Sequence, residues 1–313
     1  MLATDSDKPV LVIGTAGLDM VGRLADEPEA GTSTPASIRL AFGGVARNVA
    51  ENLARLGQSC ILLSAVGDDL QGNGLRAELE AAGVDVSGVR ILPGKNTGAY
   101  LAVVDRAGTL RMALDDMTPL QSLTPEVLQE HEPLFRQAGM VFLDANLEPE
   151  SIAAAVRLAQ KCGVPIGADP TSRHLAARLL PHLRKLHLVT PSVGEAEVLL
   201  GRAIPRDDPS SAVVAAQELV SCGVKVAILS LSEFGVAYAS REQHGHVSAL
   251  QTVIVDPTGA GDALTAAVLF ALQNDIPLDE AVRLGISAAS LTLRSKRTVV
   301  PDLTLEMLYE EMM

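Results

Sequence analysis

The chain of 313 residues contains no Trp, and aromatic residues make up only 3% of it. Its core must therefore be built almost entirely from aliphatic side chains. Hydrophobic residues reach 48%, and such a composition is typical of a sheet whose two faces are both covered by helices. The length is sufficient for one large α/β domain or two smaller ones with a sizeable buried core.

Cysteine is also scarce, and the three residues lie far apart in the sequence: Cys60, Cys162 and Cys222. No His lies near them, so zinc-site spacing is absent and free thiols in a reducing compartment are expected. Positive charge is in deficit as well, because 25 Lys and Arg face 38 Asp and Glu, for a net charge of −13. This deficit excludes non-specific nucleic-acid binding, but it leaves room for a small anion held by local donors.

No uninterrupted apolar stretch approaches the length that spans a bilayer. The N-terminal residues "MLATDSDKPV" lack the basic segment and the apolar run of a secretory signal. We therefore expect a cytoplasmic protein that binds neither membranes nor nucleic acid.

Two common nucleotide-binding motifs are absent. The segment "GTAGLDMVG" after the first apolar run departs from G-x-G-x-x-G, which argues against a dinucleotide-binding Rossmann domain. Gly94 and Lys95 are followed by Asn96, so the sequence G-x-x-x-x-G-K-[ST] does not occur. A P-loop is thereby excluded.

Short apolar runs alternate with segments of helical periodicity along most of the chain. The runs "PVLVIG" and "CILLSAVG" predict buried strands, and "GGVARNVAENLARLG" between them predicts a helix. After residue 138, strands are predicted in "MVFLDA", "PIGADP", "LHLVT" and "KVAILSLS", and helices over 151–162, 193–200 and 211–222. This alternation predicts a mainly parallel sheet with right-handed crossovers.

Two segments interrupt the alternation. Residues 18–42 follow the first strand without a helical pattern, and residues 97–114 resemble a hairpin around Ala107 and Gly108. We interpret them as a small antiparallel lid, with segments at about 18–42 and 95–115. No repeat or linker divides the chain, so residues 1–313 are expected to form a single domain.

The stretch "VDPTGAGDALTAA" combines small residues with one acid directly before an apolar helix. Gly259, Ala260 and Gly261 fall at the helix N-terminus, where unpaired N–H groups and the helix dipole favour an anion. Asp262 follows in the first turn, where we expect an ionised carboxylate able to accept a proton from a hydroxyl. By itself the pattern equally describes a Gly-rich turn before an ordinary helix.

Five segments occur together in the order and spacing of the ribokinase-like (PfkB) carbohydrate kinases, and the resemblance extends from Val10 to Pro301. They are "GLDMVG", "FGGVARN", "TPSVGEAEVL", "ILSLSEFGV" and "DPTGAGDALTA". Within that family, "NTGAYLAVVD", "LDDM", "LDANL" and "ADPTS" resemble the pseudouridine kinases. Ribokinases proper usually carry a Lys where this chain has Val45.

The resemblance implies a three-layer α/β/α fold with a mainly parallel central sheet and a small β lid. It implies an ATP- and Mg²⁺-dependent kinase that phosphorylates the 5′-hydroxyl of a ribose-containing substrate, pseudouridine above all. Asp262 would be the base, and the amides of Gly259, Ala260 and Gly261 would stabilise the transferred phosphoryl group. A homodimer formed through the lid is a further implication.

The same resemblance assigns the remaining roles. The sugar would be held by Asp19, Gly43, Gly44 and Asn48, and lid residues would select the base: Thr97, Tyr100, Asp116 and Met117. ATP would contact Ser192, Glu195, Ser230, Gly235 and Ser290. Glu195 would help to organise Mg²⁺, and Asp256 would take part in a monovalent-cation site for K⁺. Two positions depart from the family pattern, since Ser192 replaces the Asn of N-x-x-E and Ser232 replaces a Gly.

Simpler interpretations stay open at several of these positions. Asp19 could be a surface turn acid, Glu195 an acid in the first turn of a helix, and Ser290 part of tight helix packing. Gly43 and Gly44 could be a Gly-rich helix entry with Asn48 exposed to water, and a hairpin of alternating polar residues needs no ligand. For the whole chain, the alternatives are a ribokinase or another nucleoside kinase, and a catalytically weak nucleotide-binding sensor.

Overall fold

The computed structural model describes residues 7–29 and 31–313. Residues 1–6, on which the expectation of no secretory signal partly rests, lie outside the described residues, as does Ala30 of the first lid segment. In the described part of the chain, no helix combines the length and apolar character needed to cross a bilayer.

The strands are β1 (Val10–Ile13), β2 (Gly17–Leu24), β3 (Ala36–Gly43), β4 (Cys60–Gly67), β5 (Val89–Leu92), β6 (Ala99–Val104), β7 (Leu110–Asp116), β8 (Met140–Asp144), β9 (Ile166–Asp169), β10 (Leu188–Val189), β11 (Val226–Ser230), β12 (Val236–Ser240) and β13 (His244–Val247). The helices are α1 (Val45–Arg55), α2 (Leu70–Ala81), α3 (Pro125–Glu130), α4 (Glu132–Gln137), α5 (Pro149–Cys162), α6 (Val193–Leu200), α7 (Pro209–Ser221), α8 (Ala260–Gln273), α9 (Leu278–Leu293) and α10 (Leu305–Glu311).

The main sheet has nine strands in the order β13-β12-β11-β10-β9-β8-β1-β4-β5. Neighbours are parallel from β5 across to β11, and only the β11–β12 and β12–β13 pairs are antiparallel. The predicted mainly parallel sheet is confirmed. In β1, β4 and β8 every residue is buried, which explains why these strands are mostly apolar runs in the sequence.

Helices cover both faces of this sheet, because side chains alternate between two cores. Leu11 and Ile13 of β1 pack into one core with α3 to α7, while Val10 and Val12 pack into the other with α1, α2 and α8 to α10. The fold is thus the expected three-layer α/β/α arrangement. The carboxyl ends of the parallel strands meet at one edge, where open α/β sheets bind ligands.

A second sheet of four strands, in the order β3-β2-β6-β7, forms the lid. β2 and β3 lie where the sequence analysis placed the first lid segment, and β6 and β7 where it placed the second, although β7 extends to Asp116. β2 pairs with β3 in antiparallel and with β6 in parallel orientation. The β6–β7 hairpin turns at Gly108, whose φ of 87° is the left-handed conformation that glycine adopts most readily.

Candidate active site

The N-terminus of α8 presents a loop of small residues at the ligand-binding edge. Gly259 has a φ of 86°, and a Cβ added to it would lie 2.1 Å from the carbonyl oxygen of Thr298. Only glycine fits there. A Cβ at Gly261, in contrast, would meet no atom within 4 Å, so the space beside this first turn is open. Open space beside the amides of a helix N-terminus suits a phosphate group.

Asp262 lies in the first turn of α8 and is half-buried. Its Oδ2 accepts a hydrogen bond from Nδ2 of Asn48 at 2.7 Å. Burial raises the pKa of Asp262 well above its usual value, and the charges of Asp169, Asp19 and Asp144 raise it further, while the Asn48 bond acts in the opposite direction. The expectation of an ionised carboxylate did not include these neighbours, which make the proton harder to remove.

Asn48 is buried one turn into α1, and the buried cation of Arg47 orients its side chain. Its Oδ1 accepts from Nη1 of Arg47 at 2.9 Å, and Arg47 is only 2% exposed. The guanidinium is balanced by ion pairs with Glu51 and Glu78. With Oδ1 held by Arg47, the amide NH₂ of Asn48 is left to point at Asp262. Sequence reasoning missed Arg47, because a cation among helical residues normally faces solvent.

Gly43, at the end of β3, and Gly44, the N-cap of α1, pack closely against the segment from Thr15 to Asp19. A Cβ at Gly43 would lie 2.1 Å from Oδ2 of Asp19, and one at Gly44 would lie 2.5 Å from the carbonyl oxygen of Thr15. Gly44 also has a φ of 98°. Asp19 is thereby placed at the same edge as Asp262, as the charge effect between them requires.

Asp19 lies in β2 opposite Tyr100 of β6, so both side chains are on one face of the lid. Burial raises the pKa of Asp19 to about 6, with Asp256 adding to the rise and Arg47 and Arg39 opposing it. Burial and the charge of Asp19 also raise the pKa of Tyr100. Asp19 is half-buried within strand β2, so it is not an acid of a surface turn.

The predicted ATP-contacting residues come together at the ends of β10 and β11. Ser192 and Ser230 form an isolated parallel bridge, and the amide of Ser230 donates to the carbonyl oxygen of Pro191 at 3.0 Å. Glu195 is half-buried, and its Oε2 accepts from the amide of Ser192 at 2.7 Å in a capping box. Burial raises its pKa.

A comparison with protein families matches residues 7–304 to the pfkB family carbohydrate kinases. The chain belongs to the PfkB family. It is also 32% identical over 297 residues, 95% of this chain and 94% of the relative, to the pseudouridine kinase of Escherichia coli (strain K12). The guanosine-inosine kinase of Exiguobacterium acetylicum is 28% identical, with 94% of this chain and 97% of the relative covered.

Among solved structures, a putative ribokinase II of E. coli in complex with ATP and Mg²⁺ matches this PfkB chain with a TM-score of 0.82. The two are 21% identical, and the match covers 97% of this chain and 98% of the other. The ribokinase-like fold is therefore confirmed. By its family, the protein is an ATP-dependent sugar or nucleoside kinase.

Thr97 was predicted to help select the base, but in this PfkB kinase its hydroxyl is bonded within the protein. It is buried, its hydroxyl donates to Oδ1 of Asp69 at 2.6 Å, and it accepts from the amide of Gly67 at 3.1 Å. Its hydroxyl is thus used to fix the turn before α2 rather than left for a ligand. Asp116 likewise caps a turn, accepting from the amide of Thr118 at 3.0 Å. Of the named lid residues, Tyr100 remains the one on the same face as Asp19.

The hydroxyl of Ser290 also forms a hydrogen bond within the protein. Ser290 is buried in α9, and its hydroxyl donates to Oε1 of Glu311 in α10 at 2.8 Å. The simpler interpretation, tight helix packing, describes it better than contact with ATP. Asp256 forms an ion pair with Arg39 of the lid.

Ser232 has a backbone conformation that glycine adopts more readily than serine. Its φ is 53°, in the left-handed region, although its side chain is exposed and has room. Gly235, three residues on, has a φ of 97°, and a Cβ there would lie 2.1 Å from the carbonyl oxygen of Val247. The turn after β11 is therefore kept, with the replacement costing about 1–2 kcal/mol of backbone strain.

The sequence analysis did not identify Asp144 and Asp169 as site residues, although both lie in segments that it quoted. Asp144 ends β8 and is completely buried, accepting from the amide and hydroxyl of Thr15 at 2.7 and 2.8 Å and from the amide of Ala46 at 3.2 Å. Asp169 ends the next strand, β9. An acid directly after a buried apolar run was the signal that could have found both.

The described residues contain no cluster of three or more His, Cys, Asp or Glu side chains arranged as metal ligands. Asp169 and Glu195 are half-buried carboxylates, and the charge of Glu195 raises the pKa of Asp169. They fit Mg²⁺ instead as an ion that keeps several waters and binds phosphate oxygens.

Asp169 carries a testable stability effect. Burial raises its pKa to about 7, with the charge of Glu195 adding to the rise, although Thr171 and Thr190 donate hydrogen bonds to it. The folded state thus holds this proton more tightly than the unfolded state, and the stability it contributes is lost as the pH rises through the window from about 4 to 7. We expect Asp169→Asn to raise the melting temperature by about 2–4 °C at about pH 8, and by less at about pH 5.

Differential scanning calorimetry at both pH values measures this effect. Asp207→Asn, which changes an exposed acid, serves as the control and should show no such pH-dependent difference. An Asp169→Asn variant that is less stable than the parent at the higher pH would contradict the assignment.

Proposed function

We propose that this kinase transfers the γ-phosphoryl group of ATP to the 5′-hydroxyl of pseudouridine, giving pseudouridine 5′-phosphate and ADP. The observation that carries the proposal is the hydrogen bond between Asn48 and Asp262. It joins the predicted sugar site at Gly43 and Gly44 to the acid beside the anion loop, which we define as Gly259, Ala260 and Gly261. Pseudouridine is favoured as the acceptor by the 32% identity to a pseudouridine kinase over nearly the full length of both chains.

In this mechanism Asp262 accepts the proton of the 5′-hydroxyl while that oxygen attacks the γ-phosphorus. The new P–O bond forms as the bond to the β–γ bridging oxygen breaks, and the electron pair leaves with ADP. A base with a raised pKa is closer to the working pH, where proton transfer is most effective. The amides of Gly259, Ala260 and Gly261 stabilise the charge on the transferred group.

The sugar is held at the joint between lid and main domain. Asp19 accepts hydrogen bonds from two vicinal hydroxyls of the ribose, and Gly43 and Gly44 give the ring access to α1. Asn48 orients both the sugar and the carboxylate of Asp262. Tyr100, on the same face of the lid as Asp19, contacts the base.

The nucleotide lies along the ends of β10 and β11. Ser192, Ser230 and the turn at Gly235 contact its phosphates, and Glu195 would hold waters of Mg²⁺ when the ion is bound. When bound, Mg²⁺ neutralises charge on the phosphates. We further propose that the chain acts as a single kinase domain over 1–313.

The test is ATP-dependent product formation with Mg²⁺ on pseudouridine, uridine, adenosine, guanosine, ribose and fructose 6-phosphate. Turnover confined to pseudouridine supports the proposal. Turnover of ribose or another nucleoside keeps the mechanism and overturns the substrate. No turnover of any acceptor, with ATP still bound, favours the alternative of a nucleotide-binding sensor.

We propose in addition that two copies associate through the outer face of the lid. Ile38 and Met112 lie in one cross-strand row, and Leu40 and Leu114 in the next, all on the face opposite Asp19. Each of these four side chains is at least 56% exposed, and a row of exposed apolar residues on a sheet is a typical protein-binding surface.

Ile38→Glu is therefore expected to shift the mass in solution from dimer to monomer, because a charge would be buried unpaired at the interface. Light scattering after size-exclusion chromatography measures it. Val214→Glu, which places the same charge on an exposed apolar position of α7, should leave the mass unchanged. A monomeric parent protein would contradict the proposal.

A further inference from the structure

Each oxygen of the Asp256 carboxylate already has a partner in the protein itself. Its Oδ2 forms an ion pair with Arg39, and its Oδ1 accepts from the amide of Thr258 at 2.9 Å. The Asp256 side chain is only 14% exposed. The oxygen atoms that a monovalent cation would need at this position are therefore already in use.

Arg39 makes a second contact at the same place. Its Nη1 donates to the backbone carbonyl oxygen of Lys296 at 2.9 Å. Carboxylate and carbonyl oxygens are the ligands that hard cations take in proteins, and here one guanidinium spans both. A K⁺ ion beside it would meet like charge and find these oxygens taken, so the residues do not fit K⁺.

The two loops that Arg39 joins are the ones that flank the anion loop. The amides of Val255 and Asp256 both donate to the carbonyl oxygen of Leu293, at the end of α9. On the other side, the carbonyl oxygen of Thr298 packs against Gly259 so closely that no Cβ could fit. The position of Gly259 thus depends on both loops.

Arg39 itself belongs to the lid. It lies in β3 opposite Val21 of β2, two residues along that strand from Asp19. It therefore connects three parts of the site: the sheet that carries Asp19, the loop before Gly259 and the loop after α9. Its charge also lowers the pKa of Asp19, while that of Asp256 raises it.

We propose that the guanidinium of Arg39 does the work of a bound monovalent cation, so that this kinase positions its anion loop without K⁺. Arg39 is a positioning residue in this proposal. It acts through Asp256 and Lys296 and does not itself touch the reacting atoms. The inference rests on the proposed function only for the choice of acceptor in the activity assay.

The first measurement needs no acceptor. Melting temperatures are compared in KCl and in tetramethylammonium chloride at equal ionic strength, for the parent protein, Arg39→Gln and Arg23→Gln. Arg23 is the matched control, because it is a lid arginine whose guanidinium donates to the carbonyl oxygen of Arg106 instead. We expect K⁺ to raise the melting temperature of Arg39→Gln alone, since only that variant has vacated oxygens to bind it.

The second measurement is turnover in the same two salts, with ATP, Mg²⁺ and whichever acceptor is phosphorylated. The parent protein and Arg23→Gln should differ less than about twofold between salts, whereas Arg39→Gln should lose about tenfold in kcat in tetramethylammonium and recover most of it in K⁺. If Arg39→Gln does not fold, Arg39→Lys keeps a positive charge and should remain insensitive to K⁺.

Activation of the parent protein by K⁺ of about tenfold or more would overturn the proposal. An Arg39→Gln variant whose melting temperature does not change with K⁺ would also overturn the proposal. If no acceptor is phosphorylated, the proposed function fails, but the melting temperatures still decide the role of Arg39.

Discussion

Asp262→Asn is expected to lower kcat by about two to four powers of ten while leaving the affinity for ATP nearly unchanged. An amide at this position cannot take the proton of the attacking hydroxyl. It can still accept the hydrogen bond from Asn48 through its oxygen, so the local packing should survive. Steady-state kinetics and calorimetric titration with ATP separate the two effects.

The Asn48→Ala variant gives a second test of Asp262 as the base. Removing its hydrogen bond takes away the contact that lowers the pKa of Asp262, so this pKa should rise. The acid limb of the kcat/KM profile should then move to higher pH, because the base must be deprotonated in the free enzyme. A variant at Asp262 with normal turnover, or a profile that does not move in Asn48→Ala, would contradict the assignment of the base.

Gly259→Ala is expected to lower kcat by about two to three powers of ten and to destabilise the protein as well. The added Cβ would lie 2.1 Å from the carbonyl oxygen of Thr298, on a backbone with a φ of 86°. The loop must move to relieve this contact, and the amides that stabilise the phosphoryl group move with it.

Gly261→Ala is the matched comparison, since its Cβ would meet no protein atom within 4 Å. It should keep its melting temperature and raise the KM for ATP, because the new methyl group extends into the space left for phosphate. Thermal unfolding and kinetics of the two variants measure this contrast. If both alanines had the same effect on stability, the role given to the Thr298 contact would be wrong.

The strands and helices that sequence reasoning placed well are those whose burial is uniform. All four residues of β1 and all eight of β4 are buried, so each is a mostly apolar run. The predicted helices over 151–162 and 193–200 likewise have strong signals, and α6 ends at the predicted residue. β5 escaped notice because it is short and mixed, and only Val89 of its four residues is fully buried.

The sequence predicts the parts of the site that a short backbone motif determines. It does not predict the parts that depend on hydrogen bonds with residues far away in sequence. Gly259 and Asp262 follow from one short stretch at a helix N-terminus. Thr97 and Ser290, in contrast, form hydrogen bonds with Asp69 and Glu311, which are 28 and 21 residues away in sequence. Whether a hydroxyl is free for a ligand depends on such tertiary neighbours.

The lid is joined to the rest of the chain without any spacer. β2 begins at Gly17, directly after the turn that leaves β1, and β3 ends at Gly43, one residue before the N-cap of α1. A chimera that exchanged lids between relatives at these joints would disturb Gly43 and Gly44 themselves. The better crossover points are the far ends, where the amide of Ala25 donates to the carbonyl oxygen of Pro35 and closes the β2–β3 pair. An exchange limited to the tip would leave Gly43, Gly44 and the ion pair of Arg39 with Asp256 unchanged, so this part of the lid can be varied without disturbing the site.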